Sequence, residues 1–421
     1  MNQVEQRNWK EILFSRKMLT CIFIGFSSGM PLYVLIQLVP AWLRSNGVDL
    51  ATIGLFAVVS LPYTWKFLWS PLMDRFALPF LGRRRGWALM TQIGLFLAIG
   101  SMGQFDPSQS LKMIVVLVFI VSLFSASQDI VLDAYRRELL PDAELGLGNS
   151  IFVNAYRLSS LIPGSLALIL AEQLPWSVVH LVVAASMLVG LLTTAFMPEP
   201  TLASPPPRDF QEAVVEPFRA FFARGWKPAV QILLFMLLYK LGDSMATALA
   251  TPFYLDLGFS KADLGTVVKA ASLSASVVGG LIGGLLMLRI GINRALWLFG
   301  VVQIASILGF AALSEIGPNH AALFGVVAFE YLGVGLGTAA FVAFIARSTD
   351  RRYTAAQLAL LTSMTGLPRS LANATSGYLV ESMGYTGFFL LCFVLAIPGM
   401  LMLPLVAPWG DDPPPPGPTN A

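Results

Sequence analysis

Ionisable side chains inside apolar stretches are the residues of this sequence best placed to do chemistry. The stretch FSASQDIVLDAYRRELLP, residues 124–141, carries Asp129 and Asp133 in a segment that otherwise reads as lipid-facing helix. An ionisable group at membrane depth costs about 2.5–3.5 kcal/mol to insert, and it normally marks a transport pathway or a charge pair. Other apolar stretches are interrupted in the same way, by Lys66, Arg157, Lys240, Asp243, Lys269, Glu330 and Arg369.

The acids of this set are candidates for proton exchange. A carboxyl group at such a depth can take up or release a proton as its surroundings alternate. We therefore predict that proton coupling uses Asp129, Asp243 or Glu330. Asp133 lies one helical turn further on, beside Arg136 and Arg137, and we interpret it as one partner of an ion pair at a helix end.

Without Asp133, the cations of the set outnumber the acids by five to three. A cavity lined by these residues would be net positive and would suit a solute that bears carboxylates. The alternative is that the cations are structural partners of the three acids; Lys240 and Asp243, three residues apart, share one helix face and can pair. The predicted substrate-binding residues are the five cations and two hydrogen-bonding neighbours of charged residues: Lys66, Gln128, Arg157, Tyr239, Lys240, Lys269 and Arg369.

The composition identifies the elements that must position these residues. Charged residues make up 12% of the chain, whereas a soluble globular protein carries about 25%. We predict an all-α membrane protein with twelve transmembrane helices, because windows of roughly 20 apolar residues begin near twelve positions: Met18, Ile53, Gly86, Lys112, Ser150, Val178, Pro228, Asp263, Asn293, Ala321, Thr354 and Tyr385.

The same inventory argues against an enzyme. Both cysteines, Cys21 and Cys392, lie inside apolar runs, which excludes a disulfide framework and a zinc cluster. The two histidines lie beside predicted outer loops and form no catalytic set. The arginines flank membrane spans, which argues against binding of nucleic acid. We predict no enzymatic activity, no cofactor and no metal site.

A long polar interruption after the sixth span divides the chain. It reads PEPTLASPPPRDFQEAVVEPFRAFFARGWKP, and its second part could form a short amphipathic helix at the inner surface. We predict a first six-helix bundle at 1–197, a cytoplasmic linker at 198–227, a second six-helix bundle at 228–407 and a disordered tail at 408–421. Nineteen basic residues fall on the side of the termini and three on the other, which predicts that both termini are cytoplasmic.

The loops after spans two and eight indicate that the two halves are repeats. They read SPLMDRFALPFLGRRRGW and GGLLMLRIGINRALW, and each places an arginine at a helix end, then a glycine, then further arginine. Halves related by such a parallel repeat, with a site between them near mid-membrane, are typical of the major facilitator superfamily.

Several motifs in the same order resemble one branch of that superfamily. They include FSSGMPL, PYTWKFLWSPLMDR, SASQDIVLDAYRRELLP, LLYKLGDSMA and FVAFIARSTDRRYTAAQLALL, and they run from the first span to the twelfth. Together they resemble the AmpG-type anhydromuropeptide permeases. The resemblance implies a protein of the bacterial inner membrane that imports N-acetylglucosaminyl-anhydro-N-acetylmuramyl peptides from periplasm to cytoplasm by proton symport. It also implies a role in peptidoglycan recycling and in β-lactamase induction.

The resemblance further implies a gate at the inner face. Superfamily members hold their halves closed there through charge contacts, and the matching residues are Asp74, Arg75, Arg83 and Arg136. We expect Arg136 or Arg137 to be the partner of Asp74.

The expected partners are an anionic sugar-peptide substrate, protons and the lipid bilayer, with the chain acting as a monomer. The alternative function is a siderophore permease, or a permease for another anionic solute, of the same clan. A receptor or scaffold is the rival class, but acids inside the bundle and a two-half architecture favour transport.

Overall fold

The structure is a computed structural model. It describes residues 9–48, 61–78, 81–200, 210–223, 225–260, 263–350 and 352–410. Within these ranges the regular elements are helices, apart from one isolated β-bridge between Leu78 and Gly82. Three predicted features lie outside the described residues: the start of the second span near Ile53, the proline-rich start of the linker and most of the tail.

The first half contains six helices, and four of them are long and apolar enough to cross a membrane within the described residues. The six helices are α1 (Arg16–Leu43), α2 (61–75), α3 (Arg83–Met102), α4 (Leu111–Leu139), α5 (Asp142–Leu170) and α6 (Trp176–Phe196). A separate helix, Phe210–Ala223, follows α6 at the position where the sequence predicts an amphipathic helix. It contacts the second half, where the Gln357 side-chain amide donates to the carbonyl of Pro217 at 2.9 Å.

The second half repeats this arrangement. Its helices are α7 (Trp226–Asp256), α8 (264–290), α9 (292–316), α10 (His320–Arg347), α11 (354–383) and α12 (385–406). The α8–α9 and α11–α12 connections are single-residue turns at Gly291 (φ 77°) and Gly384 (φ 71°), a backbone conformation that glycine adopts without strain. The predicted all-α fold with twelve transmembrane helices is confirmed.

Two helices are interrupted at predicted site residues. The helical geometry of α7 is broken at Lys240 (φ −105°, ψ −2°), and α2 changes from α-helix to 3₁₀-helix at Lys66. Such discontinuous transmembrane helices free backbone groups that only a cavity or a neighbouring helix can satisfy. Both interruptions therefore lie where a polar interior is to be expected.

The hydrophobic core shows which ends of the two halves touch. We call the end that carries Arg83–Arg85, Arg136 and Arg137 the basic end. There, a single cluster joins both halves and includes Met73 and Tyr135 of the first half with Phe299 and Leu358 of the second. At the opposite end each half has its own cluster, one built mainly by α1, α3, α4 and α6, the other by α7, α9, α10 and α12. The halves are thus packed together at the basic end.

The closest contact between the halves is the pair α5 and α8. A Cβ atom added at Gly284 would lie 2.6 Å from the Cβ of Ser150, and one added at Gly280 would lie 2.7 Å from the Asn154 amide. The Ser150 hydroxyl donates to the carbonyl of Gly280. Small residues four apart on one face are what let two membrane helices approach this closely.

Candidate functional site

Asp74, at the end of α2, ties the two halves together at the basic end. Its side chain is buried, with 1% of its surface exposed. One carboxylate oxygen accepts the backbone N–H of Ala356 at 2.9 Å and the other that of Ala355 at 3.4 Å. These amides open α11 in the second half, and a helix N-terminus attracts negative charge. Asp74 therefore acts as an acidic cap on a helix of the other half.

An ion-pair network inside the first half holds Asp74 in place. The Arg84 guanidinium, fully buried on α3, bonds to the Asp74 carboxylate at 2.8 Å and to Glu138 of α4 at 2.6 Å. Arg83 donates to the Asp74 backbone carbonyl at 2.8 Å. Glu199, after α6, accepts the backbone N–H groups of Arg84 at 2.7 Å and of Arg85 at 3.0 Å, so it caps α3.

A second tie between the halves uses a positively charged side chain. Arg137 of α4 is buried and donates to the backbone carbonyl of Ala346, near the end of α10, at 2.7 Å. Asp142 pairs with the same guanidinium at 2.7 Å. The C-terminus of a helix attracts cations, so the acid Asp74 and the cation Arg137 complement opposite helix ends of the second half. We call these two ties the basic-end lock.

Of the predicted gating residues, Asp74 forms one tie of this lock and Arg83 donates to its backbone carbonyl, but the partner expected for Asp74 is different. Arg84, rather than Arg136 or Arg137, pairs with Asp74. Arg136 bonds within its own half to Asp133 at 2.9 Å and to Asn149. The ion pair predicted between Asp133 and the arginines of α4 is thereby confirmed. The Arg75 guanidinium lies over the ring of Phe76, 5.2 Å from its centroid.

The first half also carries a polar cluster further from the basic end, centred on Asp129 of α4. The Asp129 carboxylate is half-buried and accepts the hydroxyl of Ser28 on α1. The neighbouring Gln128 donates to Ser27 at 3.0 Å. Lys66, buried on α2 with 6% exposure, is among the charges that act on Asp129. Polar side chains of α4 therefore connect α1 and α2 beside a buried cation.

A second polar cluster lies in the second half. The Lys240 ammonium bonds to Oδ2 of Asp243 at 3.2 Å and to the Thr338 hydroxyl at 3.5 Å. Glu330 of α10 is completely buried, and its Oε2 accepts the hydroxyl of Ser306 on α9. The carboxyl groups of Asp243 and Glu330 are within hydrogen-bonding reach of each other. Lys240 and Asp243, which the sequence left open as a pair or a binding site, do form an ion pair.

Arg157 of α5 reaches from the first half toward the second cluster. It is half-buried, and its guanidinium donates to the Ser276 carbonyl of α8 at 3.3 Å. Electrostatically it faces Asp243 and Tyr331 of the second half. Charged side chains of both halves therefore meet near the middle of the bundle, away from the basic-end lock.

The sequence predicts three further substrate-binding residues. Lys269, at the start of α8, is exposed. Tyr239 is buried, donates to the Leu296 carbonyl at 3.0 Å and stacks on Phe341 with ring centroids 5.6 Å apart. Arg369 lies in α11, and its side chain is outside the described residues. Its part in a binding site stays a prediction.

Several residues of the basic-end lock and of the polar clusters are not singled out by sequence reasoning. Glu138 follows the paired arginines of α4 directly and could have been found as an acid within the same motif. Arg84 lies inside the GRRR run, where sequence cannot decide which arginine turns inward. Ser306 and Gln303 carry no signal, because single polar residues in an apolar helix usually bond to their own backbone. Among the described residues no group of three or more His, Cys, Asp and Glu side chains could hold a metal ion.

Comparisons with known proteins agree with this arrangement. The family model of the Major Facilitator Superfamily matches residues 21–372. The chain is 49% identical over 406 residues to an uncharacterized protein of Haemophilus influenzae, covering 94% of this chain and 96% of that one. It is 41% identical over 384 residues to the anhydromuropeptide permease of Escherichia coli K12, covering 91% and 78%.

The solved structures support the fold. The crystal structure of the superfamily transporter FucP in the outward conformation superposes with a TM-score of 0.69 at 12% identity, covering 92% of this chain and 98% of that one. The xylose–proton symporter XylE superposes with a TM-score of 0.65 at 11% identity, covering 93% and 94%. The chain therefore belongs to the major facilitator superfamily and, within it, to the AmpG-type anhydromuropeptide permeases.

Proposed function

We propose that this protein imports N-acetylglucosaminyl-anhydro-N-acetylmuramyl peptides across the bacterial inner membrane by proton symport, for the recycling of cell-wall material. The observation that carries the proposal is the 41% identity, over 91% of the chain, to the anhydromuropeptide permease of E. coli. The match extends over both halves of the chain.

The geometry supports transport by alternating access. A carrier of this fold rocks its two halves about a central site, so that the site opens to one side at a time. The halves share a core at the basic end and keep separate cores at the other. If the basic end is cytoplasmic, as the excess of positive charge predicts, this conformation is closed toward the cytoplasm and suited to accept solute from the periplasm.

The charges near the centre support an anionic substrate. Lys66, Arg157 and Lys240 come from three helices in two halves, and the stem peptide of a muropeptide carries carboxylates. Lys240 already has Asp243 as a partner, whereas the bond from Arg157 to a carbonyl is long, at 3.3 Å. Arg157 is therefore better placed than Lys240 to bind a substrate carboxylate, because its present bond is the weaker of the two.

Uptake into right-side-out membrane vesicles tests the proposal. Labelled anhydromuropeptide should accumulate, the unlabelled disaccharide should compete with it, and an uncoupler should abolish accumulation. A siderophore that competes where the disaccharide does not would move the protein to the siderophore branch of the clan. Accumulation that ignores both the pH gradient and the uncoupler would exclude proton symport, and binding without accumulation would favour a receptor.

A further inference from the structure

The two carboxyl groups of the second half, Asp243 and Glu330, are left with one unsatisfied oxygen each. Lys240 takes Oδ2 of Asp243 and Ser306 takes Oε2 of Glu330. The remaining oxygens, Asp243 Oδ1 and Glu330 Oε1, are buried and have no hydrogen-bond donor among the described residues. An ionised carboxylate is an acceptor only, so two such groups in contact would repel each other unless a donor stands between them.

A single proton removes this conflict. Carboxyl groups that touch cannot both ionise readily, and such pairs share one proton. With that proton the pair carries one negative charge, which the Lys240 ammonium balances; without it, two negative charges face one positive charge. We propose that Asp243 and Glu330 hold one proton between their free oxygens, and that this pair, and not Asp129, gains and loses the transported proton. The assignment rests on the proton symport proposed above.

A small cavity lies beside Asp243. It has a volume of about 10 Å³ and is lined by Tyr239, Asp243 and Gln303, among others, which is about the least volume that one water molecule needs. The side-chain nitrogen of Gln303 is buried and has no acceptor among the described residues. A water molecule there could accept a hydrogen bond from Gln303 next to the Asp243 carboxyl group.

The surroundings of the pair also couple it to the movement of the halves. The titratable groups that act on it are Lys240, Tyr239 and Tyr254 of α7, Tyr331 of α10, Cys392 of α12 and Arg157 of α5. Arg157 is the member of this set that belongs to the first half. When the halves rock, its distance from Asp243 changes, and with it the ease of holding the proton. Asp129 is not part of such a pair, because its hydrogen-bond partner is the hydroxyl of Ser28 and not a second carboxyl group.

Infrared spectroscopy of the purified protein tests the shared proton without any substrate. We expect a C=O stretching band of a buried carboxylic acid in the wild type. Glu330→Gln should remove the band, and Asp243→Asn should shift or remove it, because the proton loses its second acceptor and an ionised Glu330 can balance Lys240 alone. Asp129→Asn should leave it unchanged. A band that persists unshifted in both pair variants, or one that disappears in Asp129→Asn, overturns the assignment. Should Glu330→Gln fail to fold, the shift or loss in Asp243→Asn decides alone.

Vesicle transport gives the second readout. Glu330→Gln should lose accumulation driven by a pH gradient, ending at equal concentrations inside and outside, while exchange of labelled for unlabelled substrate continues. The matched control Glu172→Gln, an exposed acid after α5, should accumulate as the wild type does. Undiminished accumulation by Glu330→Gln would overturn the assignment. If the wild type itself transports no muropeptide, the proposed function fails, but the infrared result still decides whether the pair shares a proton.

Discussion

Asp74→Asn should open the basic end. The two hydrogen bonds that Asp74 accepts from α11 exist only while the halves are closed there, so weakening these bonds favours the open conformation. The substitution keeps the size of the side chain and removes its charge. Arg84 and Glu138 lie in the same half as Asp74, so their bonds are present whether the basic end is closed or open. Changes in these bonds therefore do not alter the free-energy difference between the two conformations. The effect therefore comes from the two amide bonds and from the N-terminus of α11.

The magnitude follows from those contacts. Hydrogen bonds to a charged group contribute about 1.5–3 kcal/mol each, and a helix terminus contributes up to about 2 kcal/mol in a partly buried setting. Asparagine keeps one acceptor oxygen, so only part of this is lost. We expect the closed conformation to be weakened by about 2 kcal/mol, which shifts the ratio of the two conformations about 30-fold. Transport should suffer more than substrate binding, because the cycle requires closure at this end.

Distances between spin labels at the opposite end would report this shift. Gln173 and Pro318 are exposed and lie beyond α5 and α9, in different halves. Cysteines at these positions can be labelled after the buried Cys21 and Cys392 are replaced by alanine. Opening at the basic end should bring the labelled ends together, so the population at short distances should rise in Asp74→Asn.

The matched control is Asp106→Asn, which removes an exposed charge from the α3–α4 loop at the far end, where the carboxylate accepts from the backbone N–H and the hydroxyl of Ser108. Its distance distribution should equal that of the wild type. If Asp74→Asn, present at a normal level and folded, also gives the wild-type distribution, then the bonds from Asp74 to α11 do not hold the basic end closed.

Three further results are expected. Gly284→Ala should also favour opening at the basic end in the same spin-label measurement, because its Cβ would collide with α5, whereas Gly325→Ala, with open space around it, should have no effect. Arg157→Gln should weaken substrate binding in an equilibrium assay about 10- to 100-fold, because one charge-assisted hydrogen bond is lost. Lys269→Gln, at an exposed site, should leave the affinity unchanged. If Arg157→Gln also has the wild-type affinity, Arg157 is a structural residue. Glu199→Gln should lower thermal stability, by about 0.5–2 kcal/mol if it behaves as other helix caps do; an unchanged melting temperature would contradict the capping role.

The sequence by itself determined the fold class and the local pairs. In a bilayer every backbone polar group must be satisfied within the chain, so apolar runs of membrane length can only be helices. Helix periodicity predicts the pair of Asp133 with Arg136 and allows that of Lys240 with Asp243, which the sequence left open as a pair or a binding site. Both ion pairs are present in the structure.

Only the tertiary structure decided which helices face each other and how each is rotated about its axis. Asp74 bonds to Arg84, ten residues away, and to Ala356, which is 282 residues away. The sequence had pointed to Arg136 or Arg137 instead. Asp243 and Glu330 meet because α7 and α10 turn these positions toward each other, while Lys269, equally polar by its sequence context, remains exposed. The physical reason is that periodicity determines which residues share a helix face, but the direction of that face depends on packing against helices from the rest of the chain.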